Sequence, residues 1–371
     1  MIPYWLQEQL HTKQDLTFFE FMQQALYHPH HGYYNNHSHK FGLHGDFITA
    51  PELTPLFGNS LAKQCQQILS IIKNPTILEF GAGSGKLCLD IMTQLEILQC
   101  LPEQYLIMEV SGSLRTSQQQ LLQTQLPHLY QRIQWLNTLP TQQFSGIILA
   151  NEVLDAIPVH KFLYKNNNVY ESHIQLTTEQ KLIECYLPTN NHNLQTYVKN
   201  YVKQQPYQSE INFLLPAWLN TCNDILSNGA LLILDYGFPR HEYYHPDRQQ
   251  GTLMCHYQHK THINPLINIG AQDITAHVDF THVAESATAA GFKLAGYTNQ
   301  AAFLLNCGIL NLLATNNTSI NNHQAIKQLL QPQEMGELFK VIALTKNLNL
   351  DLSGFSTYDK RMTLYAKTTY D

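Results

Sequence analysis

Positive charge is in short supply in this chain. Its 371 residues carry 22 Lys and Arg against 28 Asp and Glu, a formal net charge of −6, and charged residues make up only 13% of the whole. Nucleic-acid binding needs a concentrated basic surface to neutralise phosphates, so the composition argues against broad binding to DNA or RNA, leaves room only for a small local basic patch, and no nucleic-acid partner is expected. Cysteine is present without organisation. The seven, at 65, 88, 100, 185, 222, 255 and 307, form no C-x-x-C pair and no tight cluster. That excludes a disulfide framework or a cysteine zinc site and reads as reduced thiols in a cytoplasm, a bacterial one. Long apolar runs are also missing: none reaches the roughly 18 residues of a membrane span, so no membrane insertion is expected. The opening MIPYWLQE shows neither the apolar core of a secretory signal nor the Arg-rich character of a transit peptide. No internal repeat is evident.

What is there suits a folded α/β protein. Hydrophobic residues make up 44% of the chain, enough for a sizeable core, and the length suits a core of roughly 200 residues carrying additions. A helical stretch over 16–26 leads into an irregular segment rich in His, Gly and Tyr, followed by a helix predicted over 55–72. From Pro75 short apolar runs at 76–80, 105–110, 133–136 and 146–150 alternate with helix-like stretches, which predicts a parallel sheet covered by helices. Residues 160–228 read as a polar, hairpin-forming stretch and then a helical one. Ala230 to Leu234 supplies a further strand, and a helix over 280–290 precedes strands near 293–297 and 338–344. The expected division is an N-terminal helical region with a cofactor-covering loop (1–74), a first half-core (75–160), a substrate-side insertion (161–228) and a second half-core (229–371) with a substrate-side loop at 238–279.

The most specific local signal is Glu79-Phe80-Gly81-Ala82-Gly83-Ser84-Gly85, where an apolar strand turns into a helix. Glycine at such a turn permits backbone angles closed to other residues and lets a ligand approach closely. A phosphate-binding P-loop needs four residues between its glycines and Ser or Thr after its Lys, whereas here three intervene and Leu87 follows Lys86. The dinucleotide pattern G-x-G-x-x-G would put its third small residue where Lys86 stands. The E-x-G-x-G-x-G form resembles motif I of class I methyltransferases. Their donor, S-adenosyl-L-methionine, carries a sulfonium and an ammonium in place of a pyrophosphate, so an acidic Glu79 beside the turn is tolerable. At the end of the next strand Glu109 stands where a carboxylate accepts ribose hydroxyl protons; the bland alternative is a solvated strand end.

After the fourth strand comes Asn151-Glu152-Val153-Leu154-Asp155-Ala156-Ile157-Pro158. Ligands of open parallel sheets bind beyond the carboxyl ends of the strands, so this loop is expected to face the methyl-donor pocket. Either both carboxylates share one face, or Asp155 caps a turn and Glu152 alone faces the site.

Several separated segments together resemble the MidA-like S-adenosylmethionine-dependent methyltransferases, the family that includes the mitochondrial complex I assembly-factor arginine methyltransferase. They are Gly45 to Glu52 (GDFITAPE), the glycine loop, Glu109-Val110-Ser111, Asn151 to Phe162, Asp235-Tyr236-Gly237, and Asp273 to Phe280 (DITAHVDF), in family order over most of the chain. Two departures stand out: Ala82 where the family often has Pro, and no mitochondrial presequence.

The resemblance implies a class I, Rossmann-like core of seven strands with an N-terminal helical region and insertions, and S-adenosyl-L-methionine as cofactor. It implies that Glu79, Gly81, Ala82, Gly83, Gly85, Glu109 and Val110 hold the donor, with Asp46, Thr49, Pro51 and Glu52 folding over it. For Asp46 and Thr49, helix or turn capping is the alternative. Tyr236 is expected to line a substrate channel, with Asp273, Thr275, His277 and Asp279 as its opposite wall; Asp279 is equally placed to be a helix N-cap.

The acceptor implied is an arginine on a partner protein resembling a respiratory complex I subunit. Glu152 would orient the guanidinium, with Asp155 and Asn151 beside it and no metal required. A small-molecule acceptor, or a non-catalytic assembly protein that keeps the cofactor pocket, remain the alternatives, and a homodimer is left open. A nicotinamide-dependent oxidoreductase is disfavoured by the glycine spacing. The histidines at 27–44 and 256–262 lack the carboxylates or thiols of a metal site. The Tyr33-Tyr34 and Tyr243-Tyr244 pairs read as surface or interface packing.

Overall fold

The structure is a computed structural model that describes residues 2–35, 49–315 and 320–366. The chain opens with helix α1 (Tyr4–Lys13), strand β1 (Asp15–Thr17) and helix α2 (Phe18–Tyr27). Thr17 and Glu20 form a reciprocal capping box that starts α2, so the stretch expected to be helical from 16 begins as a strand. One face of α2 buries Phe18, Phe21, Met22, Ala25 and Leu26. A short turn of helix, α3 (Ala50–Leu53), leads to α4 (Pro55–Leu69), which has Pro at its first position and Thr54 as N-cap.

The alternating unit follows: β2 (Thr76–Phe80), α5 (Lys86–Ile97), β3 (Gln104–Met108), α6 (Gly112–Gln125), β4 (Ile133–Leu136) and β5 (Phe144–Asn151). The segment expected as hairpin and helix holds more strand than its polar sequence suggests: β6 (His160–Lys165), β7 (Asn168–Leu176), β8 (Leu182–Pro188), α7 (His192–Tyr201) and β9 (Tyr207–Ile211). Then come α8 (Leu215–Ile225), β10 (Leu226–Phe238) and α9 (Arg240–Tyr243). The three short strands β11 (Met254–Tyr257), β12 (Lys260–His262) and β13 (Asp273–Thr275) pair among themselves. Last are β14 (Val278–Asp279), α10 (Phe280–Ala290), β15 (Lys293–Asn299), a set of short helices, and β16 (Phe339–Lys346).

The main sheet runs β4-β3-β2-β5-β10-β16-β15, with β14 added beside β10. β4 to β10 are parallel to their neighbours, whereas β16 runs antiparallel to both β10 and β15. Alternation along β5 shows how the sheet is covered. Ile147 and Leu149 join the cluster under α4 and α5, and Ile148 and Ala150 join the one under α8 and α10. Each fully buried Leu or Ile contributes roughly 1.5–3 kcal/mol, which makes these two apolar layers the main stabilising term.

The N-terminal region divides between two bodies of structure, in place of forming one helical unit. β1 pairs antiparallel with β7, and α1 and α2 pack on the smaller sheet β1-β7-β6-β9, while α4 packs on α5 and the main sheet. Likewise α8, inside the expected insertion, packs on α10 as part of the core. The strand order reverses between β2 and β5, so the crevice beyond their carboxyl ends is where a ligand is expected.

Candidate active site

At the end of β2 the chain turns through Gly81, Gly83 and Gly85, with φ of 61°, 55° and 87°. This is the left-handed region, open to glycine at little cost. The Gly81 amide donates to the Met108 carbonyl and ties the loop to the end of β3. Gly81, Ala82 and Gly83 line a cavity of about 570 Å³. Gly85 does not line it; it is the N-cap residue of α5.

Glu79 lies beneath the loop, buried, and accepts a 2.8 Å hydrogen bond from the Tyr105 hydroxyl. Burial raises its pKa to about 7, with the Tyr105 bond opposing and Glu109 adding to the rise. Glu109 is 7% exposed, so it is no solvated strand end. Its Oε1 accepts from the Ser111 amide at 2.9 Å and its Oε2 from Gln118 Nε2 at 3.0 Å. Both carboxylates line the cavity, as does the exposed Val110.

Beyond β5, Asn151, Glu152 and Asp155 all line the same cavity. Glu152 has φ of 53°, a strained conformation for a residue with a side chain, and such strain concentrates at functional sites. Asn151 Nδ2 donates to Glu152 Oε1 at 3.2 Å. Burial raises the Glu152 carboxyl to about 8, the nearby Asp155 charge adding to the effect against hydrogen bonds from Asn151 and the Ala50 amide. Asp155 Oδ2 accepts a 2.6 Å hydrogen bond from Tyr236. Its Oδ1 is buried without a well-formed hydrogen bond among the described residues, and burial raises Asp155 to about 6 against the Tyr236 bond and the backbone amides of Ala156 and of Asp155 itself.

Asp155 is not the residue that caps the turn. That work falls to Asp235, which is fully buried and accepts through Oδ2 from the amides of Val153, Leu154 and Asp155 and through Oδ1 from its following amide, Tyr236. Burial, together with Asp155 and Glu152, pushes its carboxyl well above the usual range. In the sequence Asp235 stands within a motif and nothing in its spacing marks this role. Asp235→Ala leaves four amides without their acceptor and is expected to destabilise the fold by roughly 2–4 kcal/mol, since a buried unsatisfied group costs about 1–3 kcal/mol. Urea denaturation of the variant measures this, and an unchanged midpoint would contradict the clamp.

The facing wall comes from the N-terminal segment, the end of β10, and the stretch from β11 to the turn before β14. Tyr236, Asp273, Thr275 and His277 line the cavity. Tyr236 meets the His277 ring edge-on at 5.1 Å. Asp273 accepts from the Tyr34 hydroxyl at 3.0 Å, and Thr275 Oγ1 lies 3.4 Å from His256 Nε2. His277 is held near pKa 4, chiefly by burial and then by Arg248 and Lys340, so it stays neutral.

Thr49, Pro51 and Glu52 line the cavity as well. Thr49 occupies the N-cap position of α3, yet its side chain makes no capping bond. Glu52 accepts a hydrogen bond from Ser84 of the glycine loop. Asp46 lies outside the described residues.

Asp279 does not line this cavity. It caps α10 through the His282 amide and is paired with Arg240 at 3.0 Å. The tyrosine pairs differ from the surface or interface packing expected of them. Tyr33 is fully buried, Tyr243 and Tyr244 are nearly so, and Tyr34 lines the cavity with Tyr27, whose hydroxyl donates to the Ala156 carbonyl. Sequence gave no signal for Tyr27, because its partner is 129 positions away.

Six carboxylates line the cavity (Glu52, Glu79, Glu109, Glu152, Asp155 and Asp273), and no Lys or Arg does among the described residues. Its volume falls within the roughly 300–1,000 Å³ usual for small-molecule sites. No group of three His, Cys, Asp or Glu among the described residues is placed to hold a metal ion. No helix among them is long and apolar enough to cross a membrane. A glycine cradle with no basic side chain among the described lining residues, flanked by buried carboxylates, fits a cationic, phosphate-free nucleoside donor and fits a dinucleotide poorly.

The seven-stranded order with one reversed strand, joined to this site, defines an S-adenosyl-L-methionine-dependent methyltransferase of the class I type. Residues 60–298 match the model of an S-adenosyl-L-methionine-dependent methyltransferase family, and the chain belongs to that family, the MidA-like methyltransferases. A Burkholderia thailandensis protein solved with S-adenosyl-homocysteine is 37% identical and superposes with a TM-score of 0.93, covering 97% of this chain and 95% of that one. "Protein arginine methyltransferase NDUFAF7 homolog, mitochondrial" of Drosophila melanogaster is 28% identical over 88% of this chain and 80% of its own length. The Homo sapiens NDUFAF7 protein is 27% identical over 90% and 81%.

Proposed function

We propose that this methyltransferase modifies an arginine side chain of a partner protein. The observation that carries the reading is the cavity's charge: among the described residues six carboxylates line it and no Lys or Arg does, and one of the six, Asp155, keeps a buried oxygen, Oδ1, without a well-formed hydrogen bond among them. Burying a cation is costly unless a charged partner compensates it, and a guanidinium offers five N–H donors to such a set. The relatives named as arginine methyltransferases support the same acceptor. A respiratory complex I subunit is the partner the family resemblance favours.

The roles divide along the cavity. Gly81, Ala82 and Gly83 would cradle the donor, Glu109 would accept from its ribose hydroxyls, and Glu79 would face its positive end across the loop, with Thr49, Pro51 and Glu52 closing over it. When bound, the donor supplies a methyl group already activated on sulfonium. Glu152 and Asp155 grip the guanidinium from two sides, and charge-assisted hydrogen bonds of this kind contribute roughly 1.5–3 kcal/mol each. Asn151 steadies Glu152, and Tyr236 steadies Asp155. The third guanidinium nitrogen is left facing the donor, and alignment of this kind supplies up to roughly 7–11 kcal/mol of the barrier reduction. As the methyl group bonds to that nitrogen and leaves sulfur, the nitrogen sheds one proton, which a neighbouring carboxylate accepts.

The test uses labelled methyl donor and an extract of cells lacking the gene. Label is expected in an acid-precipitable protein band. Label confined to small molecules would remove the protein acceptor and leave the methyltransferase intact.

The raised carboxyls predict a pH dependence. Glu152, Glu79 and Asp155 sit at about 8, 7 and 6, facing Glu109, Asp235, Asp273, His256 and the neutral His277. A sulfonium favours their ionised forms, so its binding expels protons and strengthens as pH rises through this window. S-adenosyl-homocysteine lacks that charge. The preference for the methyl donor over this product is expected to grow severalfold, up to about tenfold, between pH 6 and pH 9, a gain of up to about 1.4 kcal/mol. Calorimetry with both ligands reads the ratio, and a flat or falling ratio would contradict the electrostatic account.

A further inference from the structure

We propose that Gln118 is a positioning residue of the donor site, whose locked side-chain amide holds Glu109 against the glycine loop. Gln118 lies on α6 and is fully buried. Its Nε2 donates to the Gly83 carbonyl at 2.8 Å and to Glu109 Oε2 at 3.0 Å, and its Oε1 accepts from Trp135 Nε1 at 2.8 Å. Every partner has a fixed polarity: the indole only donates, and the carbonyl and the carboxylate only accept. The amide therefore has one orientation. Turned over, it would set N–H against N–H and oxygen against two oxygens.

Gly85 belongs to the same arrangement. Its φ is 87°, and a Cβ there would stand 3.2 Å from Gln118 Cγ. The third glycine of the loop thus makes room for Gln118, which accounts for its place in the motif although it does not line the cavity. Glu109 is held from two directions, by Ser111 through Oε1 and by Gln118 through Oε2. Held from both sides, the Glu109 carboxylate is aimed before a ligand arrives, and a carboxylate oxygen accepts more than one hydrogen bond. No neighbouring residue type replaces glutamine here, because glutamate would set a second carboxylate against Glu109 and leucine would leave all three partners unmet.

The inference rests on Glu109 being the ribose carboxylate, and its test separates the two ideas. Calorimetry on the full chain compares S-adenosyl-homocysteine with its 2′,3′-dideoxyribose analogue. Gln118→Glu is expected to weaken S-adenosyl-homocysteine by about tenfold or more and the analogue by less than about twofold, the scale of one charge-assisted hydrogen bond. Trp135→Phe, which only frees the amide to turn, is expected to show the same selectivity at smaller size, and it decides the matter if Gln118→Glu does not fold. Equal losses on both ligands would reduce Gln118 to a structural role, and an unchanged S-adenosyl-homocysteine affinity would overturn the proposal. Glu109→Gln is measured on the same pair. If it distinguishes the ligands and the Gln118 and Trp135 variants do not, the positioning fails alone; if it does not, the ribose reading fails and this proposal with it.

Discussion

Glu152→Gln is expected to lower methyl transfer by one or more orders of magnitude while leaving S-adenosyl-L-methionine affinity within about threefold, each tenfold loss being a barrier increase of about 1.4 kcal/mol. The substitution keeps size and most hydrogen bonding, including the acceptor for Asn151 Nδ2, and removes only the ability to ionise. Burial by itself suppresses that ability and holds the carboxyl near 8. An arriving guanidinium supplies the missing counter-charge and draws the proton off. The loss therefore falls on turnover and acceptor affinity, and single-turnover kinetics with saturating donor would show it. A variant that methylates the partner at the wild-type rate would remove Glu152 from the mechanism.

Glu109→Ala is the second large effect, at the other end of the cavity. Removing the carboxylate deletes the ribose contact, with an expected loss of about 1.5–3 kcal/mol in donor affinity, or roughly 10- to 150-fold. Unlike the Glu152 variant, it is expected to regain part of its activity at high donor concentration. It also leaves the Ser111 amide without its acceptor and takes one of two acceptors from Gln118 Nε2, so its folding is checked alongside. Normal donor binding by a folded Glu109→Ala protein would sink the ribose role.

These two residues were legible in the sequence for a common reason. Both follow short apolar strands that alternate with helices, and the strand ends of an open parallel sheet mark its ligand crevice whatever the loops contain. The strand expected at 76–80 and the helix expected at 280–290 appear with those limits, because a strand buried on both faces and a helix between Asp279 and Gly291 carry strong local signals.

The residues that were missed act over long separations. Asp235 clamps amides 80 to 82 positions away, and a carboxylate facing backbone leaves no mark in side-chain spacing. Tyr34 reaches Asp273 across 239 positions, so its companion tyrosines read as surface residues when they are interior. The 160–228 segment reads as a polar hairpin followed by a helical stretch because its small sheet rests on clusters shared with α1, α2 and α7, and its own strands carry only part of the apolar face. Asp279 carried two readings of equal weight; the Arg240 ion pair and the His282 amide turn it away from the cavity.

The central claim is that the carboxylate-lined cavity delivers its methyl group to arginine. Fragmentation mass spectrometry of the labelled partner protein, after incubation with this enzyme and isotopically labelled methyl donor, tests it most directly. The account predicts the labelled methyl on an arginine guanidinium nitrogen, present with the wild-type enzyme and strongly reduced with Glu152→Gln. Label on lysine, on a carboxylate or on a small molecule would contradict it.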